Sequence, residues 1–354
     1  MPLILVLNAG SSSLKAATFT LDLAATDTVS IAEIGPHARL THAGKTKPVR
    51  APDHAAALTV ILQTLGCSPE TLTAAAHRVV HGGPTLTAPC RLSPEIIAEI
   101  AACAPLAPLH NPPALAAIRA LRSLAPALPQ TASFDTAFHA TNPAEATRFA
   151  LPDIPATQGL RRYGFHGISY QSLTQTLPTL TNQPLPARLL AFHLGNGASA
   201  CAIKNGYSIA TTMGYSPLDG LTMGTRPGSL DPAAVLALAD RIGLEQTRIL
   251  LNHTSGLLAL SGITSDMQAL LASPDPRAQF AIHHFCYWAI RHGGSMIAAM
   301  GGLDAIAFTG GIGEQAAPIR ARITAGLSYL PAPVHLVPAA EERQIARDAL
   351  TLLG

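Results

Sequence analysis

One stretch near the start of the chain, LILVLNAGSSSLKAATFTLD, limits the fold more than any other. Leu3 to Leu7 read as one buried strand and Leu14 to Leu21 as a second, so the segment between them is a hairpin turn. A hairpin needs only a Gly or an Asn to turn. This one carries Asn8, Gly10, three serines and Lys15. The surplus of amide, hydroxyl and ammonium groups predicts that something anionic sits there. About half the chain later, ARLLAFHLGNGASACAIKNGYSIATT again runs from an apolar strand through a Gly/Asn/Ser turn into another apolar strand. The pair fits a duplicated α/β domain with a cleft between the copies, or two unrelated hairpins, and the pattern alone leaves both open.

Composition narrows the class. At 354 residues the chain is too long for one ordinary core, so two domains are expected. Hydrophobic residues make up 48% and charged residues 12%, which argues for well-buried domains and against disorder. A formal net charge of +2, without a run of Lys or Arg, gives no reason to expect nucleic acid. Cys67, Cys90, Cys103, Cys201 and Cys286 show no zinc spacing, which suits a reduced, cytoplasmic protein. The N-terminus reads as strand rather than signal peptide, and no apolar run reaches membrane-spanning length uninterrupted.

Helix starts are marked by a cap followed by proline, Ser93-Pro94 and Asp231-Pro232, with Gly243 as a C-cap for the second. Arg277 to about Met300 reads as a long helix, with Phe280, Phe285 and Trp288 in its apolar pattern. The Pro-rich LPTLTNQPLPARLL reads as a separator between two structured halves.

Three Gly/Ser-rich turns each follow an apolar strand: Gly10 to Ser13, Gly195 to Ser199, and Gly310 to Gly313. Such turns expose backbone N–H groups that surround phosphate oxygens. None is a Walker A loop, and none completes GxGxxG before a helix. In AHRVVHGG, strand alternation sets Arg78 and Val80 on one face and His77, Val79 and His81 on the other. Arg226 sits in a glycine-flanked loop, Asp135 ends an apolar strand, and His110 and His166 lie in stiff Pro- or Gly-bounded loops. A lone carboxylate at a strand tip is a common Mg²⁺ anchor. The HxxxH of His77 and His81 lies on a strand, which rules out a zinc-protease motif, and no GxSxG elbow is present. Anion-cradling turns, two arginines and a magnesium carboxylate together point to phosphoryl transfer.

These residues lie in blocks that resemble the acetate and propionate kinases of the actin-like, sugar-kinase-like ATPase superfamily: LNAGSSSLK, HRVVHGG, PLAPLHNPPAL, FDTAFH, RYGFHG, HLGNGAS, GLTMGTRPG, TSGLLALSGITSDM and FTGGIGE, in order along nearly the whole chain. The resemblance implies an α/β fold of two duplicated actin-like (ribonuclease H-like) domains with an active-site cleft between them. It places residues 1–137 in the first domain, with a returning C-terminal helix 343–354, and residues 138–342 in the second. It implies reversible transfer of the ATP γ-phosphoryl group to acetate by direct in-line attack, with Mg²⁺ (Mn²⁺ able to substitute) and ATP/ADP as co-substrate.

The resemblance also assigns roles. Arg78 and Arg226 bind the carboxylate and the phosphoryl group in flight, His166 stabilises that group with support from His110, and Asp135 is linked to magnesium. Asn8, Ser11, Ser13 and Lys15 position phosphate and metal, and Glu341 is a second metal-linked residue. His193, Gly195, Asn196 and Gly197 resemble the ATP phosphate loop. Asp266, Met267 and Gln268 border the adenosine, and Gly311, Ile312 and Gly313 form the adenine wall. Val80, Leu109, Phe165 and Pro217 form the pocket for the acetate methyl. A homodimer acting on small molecules in the cytoplasm, without nucleic acid or membrane, is implied as well. The chain departs from the family pattern at Tyr170 (commonly His), Gln268 (commonly Arg) and Ala339-Ala340 (commonly Thr-Asn). Propionate as substrate, and a non-catalytic nucleotide switch, remain the alternatives.

Overall fold

The computed structural model describes residues 2–68 and 71–354. They form two compact units, Met1–Phe138 with Ala340–Gly354, and His139–Ala339. The Pro-rich segment expected to separate two halves lies within the second unit. Its first residues finish the helix Gly167–Thr181, which carries Pro178 in its last turns, and its last residues open a strand.

The first unit is built on an eight-stranded sheet. Its strands are β1 (Leu3–Gly10), β2 (Ser13–Thr20), β3 (Ala25–Ala32), β4 (Arg39–His42), β5 (Lys45–Pro48), β6 (Leu72–Val79), β7 (Cys90–Arg91) and β8 (Gln130–Phe134). They lie in the order β5-β4-β3-β2-β1-β6-β8-β7. The central strands are buried on both faces, which is why they read as near-continuous apolar runs rather than alternations. One face packs Leu5, Leu7, Leu14 and Ile31 into a core with Leu58 and Ile61 of the helix His54–Leu65 and Leu121 of the helix Asn111–Leu124. The C-terminal helix Glu341–Leu353 packs against β1, β6 and β8.

The second unit holds a five-stranded sheet. Its strands are β9 (Arg188–Leu194), β10 (Ala198–Lys204), β11 (Tyr207–Thr211), β12 (Ala305–Thr309) and β13 (Val334–Leu336), in the order β11-β10-β9-β12-β13. This order reproduces β3-β2-β1-β6-β8 of the first unit strand for strand. In both, three antiparallel strands are followed by two parallel ones. The two similar hairpins are therefore the opening strands of duplicated folds.

Helix starts follow the local chemistry. Ser93 accepts the N–H of Ile96, and Asp231 accepts that of Ala233, each just before a proline. The long helix runs Pro276–Met300 and buries Phe285, but Phe280 is 56% exposed. Phe280 belongs to the outer face, beside His284 and, one turn further, Trp288.

Candidate active site

In the first unit, the β1–β2 hairpin closes through Ser11 and Ser12, with Asn8 directly opposite Lys15 in register. The turn is pinned from two sides. His54 Nε2 lies 2.8 Å from the Gly10 carbonyl, and the Ile34 N–H donates to the Ser12 carbonyl at 2.9 Å. Ser11 stays exposed and Ser13 is half-buried, its Oγ packed beside Gly10, where a Cβ would lie 2.7 Å from it.

Arg78, on β6, reaches across its parallel neighbour β8. Its Nε and Nη2 donate to the two oxygens of Asp135 at 3.1 and 2.6 Å, a bidentate pair, while Nη1 donates to Asn8 Oδ1 at 3.4 Å. Asp135 is 3% exposed. Burial pulls the Arg78 pKa down, but the carboxylates of Asp135 and Glu341 outweigh it and leave the guanidinium firmly charged. Glu341 opens the C-terminal helix. Burial raises its carboxyl above the ordinary range, and Arg78 only partly offsets this. Within β6 the alternation holds, and His77, on the opposite face, is buried on Gln130 at 2.9 Å, but Val80 and His81 lie beyond the strand's end.

Behind this cluster, the Asn111 side chain exchanges two hydrogen bonds with the His81 backbone, fixing the HGG loop after β6. His110, half-buried, stands at the N-terminus of the helix Asn111–Leu124. Val80 is half-buried, and Leu109 is 42% exposed.

In the second unit, Gly195, Asn196 and Gly197 connect β9 to β10. A Cβ at Gly197 would lie 2.8 Å from Arg226 Nη2 and 3.2 Å from His166 Nε2, so two donor groups converge on this turn and a side chain there would have to displace their ends. At Gly224 a Cβ would strike Asn196 Oδ1, and the Gly224 N–H donates to the Asn196 carbonyl at 3.0 Å. Arg226 is further held by the Pro217 carbonyl at 2.8 Å, and burial pulls its pKa below the usual value.

His166 occupies a left-handed backbone conformation, φ 61°, at the start of the helix Gly167–Thr181. That conformation is uncommon outside glycine and is concentrated at functional positions. Its ring stacks on His193 at 4.1 Å between centroids. Each imidazole then has a hydroxyl at 2.8 Å: His166 Nδ1 on Ser199 Oγ, and His193 Nδ1 on Ser169 Oγ. Tyr170, one of the departures from the family pattern, is fully buried with its hydroxyl 2.6 Å from the same Ser199 Oγ.

The third turn is also braced. Glu314 Oε1 accepts the N–H groups of Gly310 and Ala339, at 3.2 and 2.8 Å, and Arg320 donates to the carbonyls of Gly313 and Glu314. At Ala339 the backbone makes the contact, so the loss of a polar side chain there leaves it intact. Asp266 caps the helix Met267–Ala272 through Ala269, Met267 is buried, and Gln268 is exposed. Phe165 is 2% exposed and Pro217 half-buried. The structure thus gathers Asn8, Lys15, Arg78, Asp135 and Glu341 in one unit, and His166, His193, Gly197 and Arg226 in the other. Ser199, the last residue of the second Gly/Ser turn, and Tyr170 join the second group without having been singled out as site residues. Membership of that turn was the signal for Ser199, and departure from the family pattern was the signal for Tyr170.

Known proteins settle the lineage. Residues 3–343 match the acetokinase family. The chain belongs to this family. An acetate kinase of Rhodopseudomonas palustris is 46% identical over 92% of this chain and 86% of its own length. One from Nitrobacter hamburgensis is 40% identical over 100% of the chain and 96% of its own. Among solved structures, the acetate kinase of Porphyromonas gingivalis superimposes with a TM-score of 0.93 at 32% identity, each chain covering 100% of the other. A propionate kinase from Francisella tularensis gives 0.92 at 32% identity, covering 98% of this chain and 99% of its own. The alignment with the Nitrobacter acetokinase spans 393 positions against 354 residues here, so that relative carries segments this chain lacks.

Proposed function

We propose that the chain catalyses reversible transfer of the ATP γ-phosphoryl group to acetate, giving acetyl phosphate and ADP by direct in-line displacement. Family membership, and relatives named acetate kinase at up to 46% identity, support the reaction. The observation that carries the residue assignment is the bidentate Arg78–Asp135 pair beside Glu341.

A carboxylate substrate is already ionised near neutral pH, so no strong general base is needed. Catalysis then rests on positioning and charge neutralisation. In this reading Arg78, with Asp135 holding two of its donors, turns its remaining N–H groups to the acetate carboxylate. His193, Gly195, Asn196 and Gly197 hold ATP phosphates, and Arg226 and His166 neutralise the charge developing on the phosphoryl oxygens. Ser11, Ser13 and Lys15 align phosphate, and His110 is a further residue assigned to phosphoryl transfer. Asp266, Met267 and Gln268 flank the adenosine, and Gly311, Ile312 and Gly313 wall the adenine. Val80, Leu109, Phe165 and Pro217 are the residues assigned to the acetate methyl.

Mg²⁺ suits the oxygen donors of Asn8, Asp135 and Glu341. Among the described residues no three His, Cys, Asp or Glu side chains form an all-protein metal site. Magnesium ordinarily binds through one or two carboxylates, water and substrate phosphates. Burial disfavours the Glu341 carboxylate, and a divalent cation beside it would let it ionise. Held by these donors, Mg²⁺ would supply positive charge to the nucleotide phosphates, and Mn²⁺ would take the same donors.

Likeness to the propionate kinase structure, 0.92 against 0.93 at the same identity, keeps propionate as the second reading. One methylene is worth only about 1–3 kcal/mol of discrimination. The presence of Arg78, Arg226, His166 and Asp135 together favours catalysis over a nucleotide switch, which needs no carboxylate site. We also place the protein in the cytoplasm as a homodimer. Its five cysteines are free thiols, and among the described residues no helix is long and apolar enough to cross a membrane.

The decisive assay traps acyl phosphate with MgATP and compares acetate, propionate and butyrate by kcat/KM, with acetate expected highest. A propionate lead would keep the mechanism and change the substrate. No product from any of the three, with ATP binding demonstrated, would overturn the proposal.

A further inference from the structure

We infer that Tyr170 is a positioning residue for His166, fixing through Ser199 the imidazole tautomer that keeps its proton on Nε2. The three side chains form a continuous relay within one unit. Tyr170 lies one helical turn after His166, its N–H donating to the His166 carbonyl at 3.0 Å. Ser199 lies on β10 directly opposite His193 of β9. Tyr170 and Ser199 are both fully buried.

The direction of the relay follows from counting protons. A phenol is a stronger hydrogen-bond donor than an aliphatic hydroxyl, and a serine oxygen is the better acceptor of the two. The phenol proton is then directed to Ser199 Oγ, 2.6 Å away, and the serine proton to His166 Nδ1, at 2.8 Å. A neutral imidazole that accepts at Nδ1 carries its proton on Nε2. Burial holds the phenol pKa well above its ordinary value, so it stays protonated as a donor. The edge of its ring against His139, at 5.7 Å and 72°, fixes its orientation.

The consequence lies at the far side of the imidazole. Nε2 points to the Gly197 turn, where Arg226 Nη2 also converges. A proton on Nε2 makes His166 a donor beside a guanidinium, the combination that suits a phosphoryl oxygen. With the proton on Nδ1, Nε2 would present a lone pair and repel that oxygen. The catalytic consequence rests on the assignment of His166 to phosphoryl stabilisation. The tautomer itself does not.

The test uses full-length protein labelled with ¹⁵N-histidine, with His166→Gln identifying the His166 signals. In a two-bond ¹H–¹⁵N correlation at neutral pH, His166 Nδ1 is expected unprotonated and Nε2 protonated. Tyr170→Phe and Ser199→Ala should each draw the two nitrogens toward a tautomeric average, and kcat should fall about three- to tenfold, the worth of one neutral hydrogen bond. KM for ATP should hold. Should Tyr170→Phe fail to fold, Ser199→Ala reads the same link. A protonated Nδ1 in the parent, or His166 signals unmoved by both substitutions, would overturn the inference. A moved tautomer with unchanged kcat would uphold the relay and remove His166 from phosphoryl stabilisation.

Discussion

At the scale of single residues, the site is tuned by what is left out as much as by what is present. Gly197 has no Cβ to meet Arg226 Nη2 and His166 Nε2. Gly197→Ala should therefore displace both and lower kcat/KM about 10²-fold, the usual result of misplacing catalytic groups by an ångström. Thermal unfolding should change little, because the strain falls on the ends of two side chains. Equal loss of stability and activity would show a folding defect instead. Arg226 has a different signature. Burial pulls its pKa below the ordinary value, so the protein holds a charge at a cost that an anion would offset. Arg226→Ala is expected to reduce turnover by roughly 10³ to 10⁵, as for other arginines that stabilise a phosphoryl group in flight. A loss below about tenfold would remove Arg226 from the mechanism.

At the scale of elements, the strands carry the chemistry and buried polar pairs keep them in place. The C-terminal helix is anchored where Ser133 of β8 donates to Asp348 at 2.7 Å, and Gln344 donates to the other oxygen of that carboxylate at 2.9 Å. This leaves Glu341 and Glu342 in the helix's first turn, where the helix dipole favours negative charge. On β6, His77 faces away from Arg78, and burial depresses its pKa to about 4. A histidine depressed in the fold stabilises it above its unfolded pKa, near 6.5, and that contribution is lost as pH falls toward 4. Denaturant unfolding of the parent between pH 7 and 4 should therefore show a loss that shrinks in His77→Gln, by an amount on the order of 2–3 kcal/mol. Parallel curves for the two proteins would sink this assignment. The helix openings at Ser93-Pro94 and Asp231-Pro232 were legible because a cap acts within three residues of itself. Phe280 was not legible as exposed, because a side chain's periodicity gives its face but not what packs on that face.

At the scale of the whole molecule, the repeated strand order shows that one fold was used twice, and the second unit leaves large apolar side chains exposed. The helix Pro232–Ile242 buries none of its residues, with Leu236 66% exposed, and Leu244 beyond it is 60% exposed. Exposed apolar area of this kind marks interaction sites, and a second copy of the chain is the proposed occupant. Light scattering on purified protein should give a mass about twice the 36.7 kDa of one chain, and Leu236→Glu with Leu244→Glu should shift it to monomer. A parent monomeric at micromolar concentration would contradict the dimer.

The amino-acid sequence by itself determined the hairpins, the capped helices and the collinear blocks that place the chain among the acetokinases. All of these are local or cumulative signals, fixed by backbone sterics, burial period and residue identity over a few neighbours. Only the tertiary structure decided that Arg78 closes on Asp135, that His166 stacks on His193, and that Tyr170 reaches Ser199. Those contacts join residues from different strands and helices. Their partners are chosen by strand order and register, which no short stretch of sequence contains.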